Sequence, residues 1–444
     1  MRLNKLPTSV LFAYGIGSLG WSISINVISV LLNYIYLPPA NAQMHNLIPQ
    51  LAIFGVFNII SMVLFFGRFF DAAVDPFIAH LSDRSKNKLG RRIPFMRIAF
   101  IPMSVFCVLL FFPPTHHEST INIVWMAGTQ LLYYSFFGLY LIPYNALLAE
   151  MGHDAQAKLD LSTAQSLGFM VGVLVSASSP MMANGLQQFF HITDRLVAYQ
   201  YSIVALNVLA AITMAIPAYF VDEKKYCVEA NVTEPLFKSL TTALKNRNFI
   251  IFAIADSSYF MAIAIITAGL MYYVKAMLNL DEGLGTLFML AMVIITVGFY
   301  PIVNKLGTRI SKKKMMIASF LAVAGVFAEI FYLGKFPFSP IIQVSVLVIT
   351  FGIPDAFLGI LPNTVVADIA HKNAKETGEN KEGMYFGMRA LFQKIGQTAG
   401  VTVFAMLTLY GKDPGHDLGL RLSGVIGTVL CLVSAIAYTN YKED

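Results

Sequence analysis

The sequence has few charged residues and few cysteines. Aspartate, glutamate, lysine and arginine make up 13% of its 444 residues, whereas 57% are hydrophobic. Soluble domains carry about a quarter of their residues as charged side chains, so this chain could not cover its surface in water. An ordinary soluble enzyme is therefore excluded. The three cysteines (Cys107, Cys227 and Cys431) lie too far apart for a disulfide framework or a zinc site.

Catalytic motifs are also missing. The sequence contains no phosphate-binding P-loop, which argues against an ATP-driven pump. It contains no arrangement of nucleophile, base and acid that stands out from chance. We therefore expect neither an enzyme nor a bound cofactor.

Long apolar stretches dominate the chain instead. A membrane-spanning helix needs about 20 mostly apolar residues, and twelve stretches meet this requirement. They lie at 8–36, 47–81, 93–112, 121–149, 162–190, 198–221, 248–275, 284–304, 314–334, 341–368, 384–410 and 420–440. The predicted fold is all-α, an integral membrane protein with twelve transmembrane helices.

Lysine and arginine are distributed unevenly between the predicted loops. Of the 31, 23 fall on one side of the membrane, many of them in segments 84–97, 224–247 and 305–314, and five fall on the other. Because the basic excess marks cytoplasmic loops, we predict both termini in the cytoplasm and the protein in the cytoplasmic (inner) membrane. The same bias explains the net charge of +6 without nucleic acid.

The chain contains an internal repeat. Six of seven residues are identical between Asn87–Ile93 and Asn304–Ile310, which are 217 residues apart. The pairs Ala149-Glu150 and Ala367-Asp368 lie 218 residues apart and end the fourth and tenth stretches. Two matches at nearly one offset predict two six-helix halves in parallel orientation, the architecture of the major facilitator fold.

The repeat sets the predicted domain boundaries. The N-terminal half covers residues 1–221 and the C-terminal half covers 248–444. A charged linker at 222–247 joins them. Leucines at 236, 240 and 244 predict an amphipathic cytoplasmic helix in the linker, because residues four apart share a helical face.

Charged residues inside the predicted spans are functional candidates, because each costs at least about 2.5 kcal/mol at the bilayer centre. Arg68, Asp71 and Asp75 share one stripe of the second span. Asp71 lies about 16 Å from the end of its helix and Lys394 about 15 Å from the end of the eleventh. One interpretation is a permanent ion pair. We favour a cation site, since a proton or metal ion relieves the repulsion between two carboxylates.

Other polar residues in the spans are candidates for a central cavity. Asp256 and Asp355 either line it or hydrogen-bond locally. Tyr140, Tyr144 and Tyr259 either stack on a sugar ring or pack between helices.

Charged residues at the predicted cytoplasmic ends form a candidate gate. The set comprises Asp83, Arg84, Arg91, Arg92, Glu150, Arg309 and Asp368. The alternative is that these charges only determine topology, and both functions can hold together.

Several motifs in both halves are typical of one transporter family. They lie at Gly67–Pro76, Ser82–Arg84, Gly90–Pro94, Ile142–Leu147 and Leu361–Asp368. They resemble the signature of the glycoside–pentoside–hexuronide:cation symporters, the melibiose-permease branch of the major facilitator superfamily. The resemblance covers both halves and implies cation-coupled transport. It implies that Asp71 and Asp75 are the paired cation-site aspartates, that Arg68 is the arginine preceding them, and that Lys394 acts near that site.

The chain also departs from melibiose permeases. Val74 replaces an asparagine between the two aspartates, which removes a neutral sodium ligand and favours H⁺ over Na⁺ as the coupling ion. Ser22, Leu141, Asn145 and Gln165 replace residues of the galactoside site, so that site is not retained. Ser22, Asn145 and Gln165, together with Asn26, remain candidates for the cavity of this chain.

We therefore predict a secondary active transporter, a sugar or glycoside:cation symporter that works by alternating access. The alternatives are a transporter of an amphiphile, nucleoside or organic acid, and a sensor that no longer transports. The expected partners are a small solute and the lipid bilayer, and the expected state is a monomer.

Overall fold

A computed structural model describes residues 6–53, 57–152, 155–227, 244–307, 309–377 and 382–443. The chain forms two compact units, Met1–Val232 and Thr233–Asp444. Each unit is described by itself.

The first unit is built from long helices and one small hairpin. Its elements are α1 (Thr8–Tyr36), β1 (Ala52–Ile53), β2 (Phe57–Asn58), α2 (Ile59–Asp83), α3 (Ile93–Leu110), α4 (Thr120–Met151), α5 (Ala155–Ala177), α6 (Ser179–Phe190), α7 (Arg195–Phe220) and α8 (Glu223–Tyr226). The short α8 falls inside the predicted linker. Residues 236 and 240 of the predicted linker helix lie outside the described residues.

The second unit contains long helices with two short turns. Its elements are α9 (Arg247–Tyr272), which runs into a π-helical turn at Tyr273–Met277, α10 (Gly283–Gly307), α11 (Lys312–Tyr332), α12 (Pro340–Thr377), α13 (Glu382–Leu407) with a 3₁₀ turn at Thr408–Tyr410, and α14 (Leu418–Thr439). Asn246 begins α9 by accepting the backbone N–H of Phe249 at 3.1 Å.

Most of the helices suit a membrane. Within the described residues, nine are long and apolar enough to cross one, and the bent pair α5–α6 makes a tenth. The two remaining long helices are α2, with Arg68, Asp71 and Asp75, and α13, with Arg389 and Lys394. Across the described residues, the twelve predicted spans therefore correspond to twelve helical segments, and the two that fall outside the apolar set carry the predicted coupling residues.

Two predicted spans need correction. The second was expected from residue 47, but α2 begins at Ile59, after the β1–β2 hairpin. Asn58 and Ser61 form a capping box that fixes this start, and Pro49 stands upstream, where a helix would lose a hydrogen bond. The fifth span was expected to be continuous, but it bends by 42° between α5 and α6.

The two units pack their helices in the same pattern. In the first, α1 contacts α5 and α7, α4 contacts α2 and α3, and α3 contacts α7. In the second, the corresponding pairs are α9 with α13 and α14, α12 with α10 and α11, and α11 with α14. The duplication inferred from short sequence matches is therefore present in the packing of six helical segments per unit.

Close approach of two helices is also repeated. A Cβ atom added to Gly168 of α5 would lie 2.0 Å from the carbonyl oxygen of Gly15 in α1. A Cβ atom added to Gly396 of α13 would lie 2.3 Å from the carbonyl oxygen of Ser257 in α9. Small residues permit such approach between membrane helices, and each glycine is followed by another four residues later, at Gly172 and Gly400.

Candidate functional site

The charged stripe of α2 faces α4. The guanidinium carbon of Arg68 lies 4.9 Å from the centre of the Tyr134 ring, a distance at which a cation is attracted to an aromatic face. Asp71 is buried and interacts electrostatically with Arg68 and Tyr134. Asp75 is half-buried, and its Oδ1 atom lies 3.2 Å from where a Cβ of Gly138 would stand. Both acids thus point towards a neighbouring helix of their own unit.

Lys394 belongs to the other unit. It is half-buried in α13, and its backbone carbonyl accepts the hydroxyl of Thr398 at 2.7 Å. Its pairing with Asp71 and Asp75 stays a prediction.

Two of the candidate tyrosines pack inside the first unit. Tyr144 stacks on Tyr14, with ring centroids 4.4 Å apart, and its hydroxyl donates to the carbonyl of Tyr14 at 2.6 Å. Tyr140 donates to the carbonyl of Met214 in α7 at 3.0 Å. Both are fully buried. These contacts join α4 to α1 and α7, and a role in binding solute stays a prediction for both.

The other candidates of this unit form two polar groups. Ser22 is buried and donates to the carbonyl of Phe169 at 2.8 Å, while Asn26 donates to the carbonyl of Ser22 at 2.9 Å. Gln165 donates to Oδ1 of the exposed Asn145 at 2.9 Å. This second pair is the more accessible, so it suits contact with a polar solute better than Ser22 does.

Asp256 of the second unit is held by an arginine. Arg389 donates to both of its carboxylate oxygens, at 3.0 Å and 3.3 Å, and Gln393 donates to it at 3.1 Å. Both charged side chains are buried. Arg389 also bonds to the side-chain oxygen of Asn363. A bidentate pair with further hydrogen bonds is the arrangement that lets a buried ion pair persist, and it ties α9, α12 and α13 together.

Asp355 lies in a different environment. Tyr259 donates its hydroxyl to Oδ1 of Asp355 at 2.9 Å, and the Thr296 hydroxyl lies 3.2 Å from Oδ2. Within the described part of this unit, Asp355 contacts hydroxyl groups and no lysine or arginine. The two acidic cavity candidates of the second unit therefore differ in whether a cation neutralises them.

The predicted gate residues of the first unit form a charge cluster. Arg92 pairs with Glu150 at 2.7 Å and with Asp83 at 2.6 Å, and it donates to the hydroxyl of Ser82 at 2.8 Å. Arg91 reaches Glu150 at 3.4 Å. The cluster holds the ends of α2 and α4 against the start of α3.

The second unit repeats part of this cluster. Lys312 pairs with Asp368, which corresponds by the repeat to Glu150, while Lys312 lies three residues after Arg309, the counterpart of Arg92. Arg84 and Arg309 are exposed and form no ion pair with the described residues. A closing contact between the halves stays a prediction.

Glu223 completes the first cluster and was missed by the sequence analysis. It is buried at the start of α8. Its carboxylate accepts the backbone N–H groups of Arg91 at 2.6 Å, Arg92 at 2.9 Å and Ile93 at 3.0 Å. These are the unsatisfied donors at the beginning of α3, where the helix dipole also favours a negative charge.

Gly90 makes room for this carboxylate. Its φ is +118°, and a Cβ added there would lie 2.2 Å from Oε2 of Glu223.

Glu443 repeats the arrangement in the second unit. It accepts the backbone N–H of Lys312 at 2.7 Å and that of Lys313 at 3.1 Å, together with the hydroxyl of Ser311. Glu443 follows Glu223 by 220 residues, and Lys312 follows Arg92 by the same number. A search for acidic residues separated by nearly the offset of the sequence repeat would have identified Glu223 and Glu443.

A cysteine lies beside the first cluster. Burial raises the pKa of the Cys227 thiol, and the neighbouring carboxylates of Glu150 and Glu223 raise it further. Because only the thiolate is a good nucleophile, this thiol reports on the charge around it.

The chain is similar to sugar transporters over nearly its whole length. A family model described as MFS/sugar transport protein matches residues 13–441. The Escherichia coli "Glucuronide carrier protein homolog" is 24% identical over 389 residues, which cover 84% of this chain and 80% of that one. A relative from Salmonella typhimurium named for export of 2,3-dihydroxypropane-1-sulfonate is 24% identical over 451 residues, covering 98% and 92%.

Solved structures share the fold. A D-xylose-proton symporter has a TM-score of 0.69 at 13% identity, covering 98% of both chains. At this level of sequence identity, the structural similarity shows the fold alone.

Proposed function

We propose that this chain, which belongs to the MFS/sugar transport protein family and is a secondary transporter in a membrane, couples the movement of a hydroxylated solute to that of a cation. The observation that carries the proposal is the charged stripe of α2. It places two carboxylates one helical turn apart in a membrane helix, beside one arginine.

The energetic cost of this stripe supports a coupling function. A charge deep in a membrane costs at least about 2.5 kcal/mol. Arg68 supplies one positive charge on a stripe that carries two acids. We propose that the transported cation binds at Asp71 and Asp75, and that Lys394 takes its place when the cation has left.

A proton is the favoured coupling ion. Sodium binds best to several oxygen ligands at once, and Val74 supplies none between the two acids. A proton needs only a single carboxylate oxygen. Sodium is the alternative, with further ligands from outside α2.

The favoured solute is a sugar or glycoside. A second candidate is a hydroxylated organic acid, because the two curated relatives above are named for a glucuronide and for a dihydroxypropanesulfonate. Both of these solutes carry hydroxyl groups, and the side-chain amides of the accessible Gln165–Asn145 pair can form hydrogen bonds with hydroxyl groups. We further propose that both termini are cytoplasmic and that the halves alternate access.

Uptake into proteoliposomes tests this function. The purified protein is offered a radiolabelled glucuronide, a neutral glycoside and dihydroxypropanesulfonate in sodium-free buffer, with an inward proton gradient. We expect accumulation of at least one probe, abolished by an uncoupler. Uptake that stays at background until millimolar sodium is added, and ignores the pH gradient, would show that the proton assignment is wrong.

A further inference from the structure

The polar contacts around Asp355 outnumber the hydroxyl hydrogens that its neighbours supply. Three contacts connect the group: Tyr259 to Oδ1 at 2.9 Å, Oδ2 to the Thr296 hydroxyl at 3.2 Å, and the same hydroxyl to the Gly352 carbonyl at 3.2 Å. Tyr259 and Thr296 have one hydroxyl hydrogen each. Neither a carboxylate nor a carbonyl can donate, so with an ionised Asp355 the single Thr296 hydrogen has to be shared between Oδ2 and the Gly352 carbonyl.

A protonated Asp355 satisfies all three contacts. Its Oδ2–H donates to Oγ1 of Thr296, Thr296 donates to the carbonyl of Gly352, and Tyr259 donates to Oδ1. Each oxygen then acts within its ordinary capacity as donor or acceptor.

Among the described residues of this unit, no cation is positioned to hold Asp355 ionised. The polar groups that face this part of α12 from the helices packed on it are Asp256, Tyr259, Thr296, Tyr300, Glu329 and Arg389. Arg389, the cation among them, is bound to both oxygens of Asp256. In a membrane helix a carboxylate without a counter-charge is more stable as the neutral acid.

We propose that Asp355 is a proton-binding site of the C-terminal half, occupied at neutral pH, with Tyr259 and Thr296 as its hydrogen-bond partners. This site belongs to the second unit, whereas Asp71 and Asp75 belong to the first, and it does not depend on their coupling function. Asp256, bound to Arg389, is the ionised counterpart on the neighbouring helix. The C-terminal half can therefore carry a proton of its own.

Infrared spectroscopy tests the proposal without a solute. The C=O stretch of a protonated carboxyl is distinct from the bands of a carboxylate and shifts in D₂O. In lipid at pH 7, we expect Asp355→Asn to lower the intensity of this C=O band by the contribution of one protonated carboxyl group. Asp256→Asn should remove none. If that variant does not fold, Asp417→Asn is a second control, because Arg421 binds Asp417 through two oxygens at 2.9 Å and 2.6 Å.

Tyr259→Phe separates a proton site from a merely structural contact. It removes the hydrogen bond to Oδ1 and should shift the Asp355 band to higher frequency while leaving its intensity unchanged. A protonated carboxyl signal that is the same in wild type and Asp355→Asn would overturn the proposal. So would a signal that disappears when sodium replaces potassium at constant pH, because the site would then bind a metal ion.

Discussion

Removal of Glu223 should destabilise the first unit more than removal of its counterpart destabilises the second. In Glu223→Ala, three backbone N–H groups at the start of α3 lose a buried acceptor, and Arg92 loses a neighbouring negative charge. Hydrogen bonds to charged groups contribute about 1.5–3 kcal/mol each, and water can replace part of them at a helix end. We therefore expect a loss of about 2–4 kcal/mol.

Glu443→Ala is the matched control. It removes the same kind of acceptor from the start of α11, but Glu443 is exposed. Water can therefore satisfy the freed N–H groups, and the expected loss is about 0.5–1 kcal/mol.

Buried cysteines provide the assay. Cys107 lies in α3 and Cys431 in α14, and both are fully buried, so each reacts with a fluorogenic thiol dye when its own unit unfolds. A Cys227→Ser background keeps the signal specific. Since 1 kcal/mol shifts the melting temperature of a domain of 150–250 residues by about 2–4 °C, Glu223→Ala should lower the Cys107 transition by about 4–16 °C. Equal shifts for Glu223→Ala and Glu443→Ala, or none for the former, would refute the reasoning.

Three further outcomes are expected. Asp256→Asn should cost about 3–5 kcal/mol because it leaves Arg389 buried without a counter-charge, seen as an earlier Cys431 transition that Asp256→Asn/Arg389→Gln partly restores. Glu223→Gln should speed maleimide labelling of Cys227 at pH 8, since loss of a negative neighbour lowers the pKa of the thiol; an unchanged rate would speak against that contact. Lys394→Ala should abolish accumulation of solute in proteoliposomes, and accumulation at the wild-type level would count against its pairing with Asp71 and Asp75.

The helices and the duplication could be predicted from the sequence because their signals are local. Apolar runs of about 20 residues locate membrane helices, and most helix ends lie within a few residues of their predicted positions. The start of α2 could not be located in this way, because the apolar run continues upstream through residues that form the β1–β2 hairpin. Hydropathy alone does not distinguish a helix from an apolar hairpin.

Side-chain partners were harder to predict. Asp256 and Arg389 are 133 residues apart, and only the packing of α9 on α13 brings them together. Glu223 and Arg91 are likewise far apart in sequence, by 132 residues, and they meet because α8 packs against the start of α3. Asp71 and Asp75 stand out in the sequence because a charge in a membrane helix is unusual wherever its partner lies, and their function stays a prediction.

The central claim is that Asp71 and Asp75 bind the coupling cation, and the most direct test compares two modes of transport in Asp71→Asn. Accumulation against a gradient requires the cation, whereas counterflow of labelled solute between equal concentrations requires only a working solute site. With whichever probe the wild type accumulates, we predict that Asp71→Asn retains counterflow and loses accumulation driven by the pH gradient. Accumulation at the wild-type level in Asp71→Asn would contradict the account.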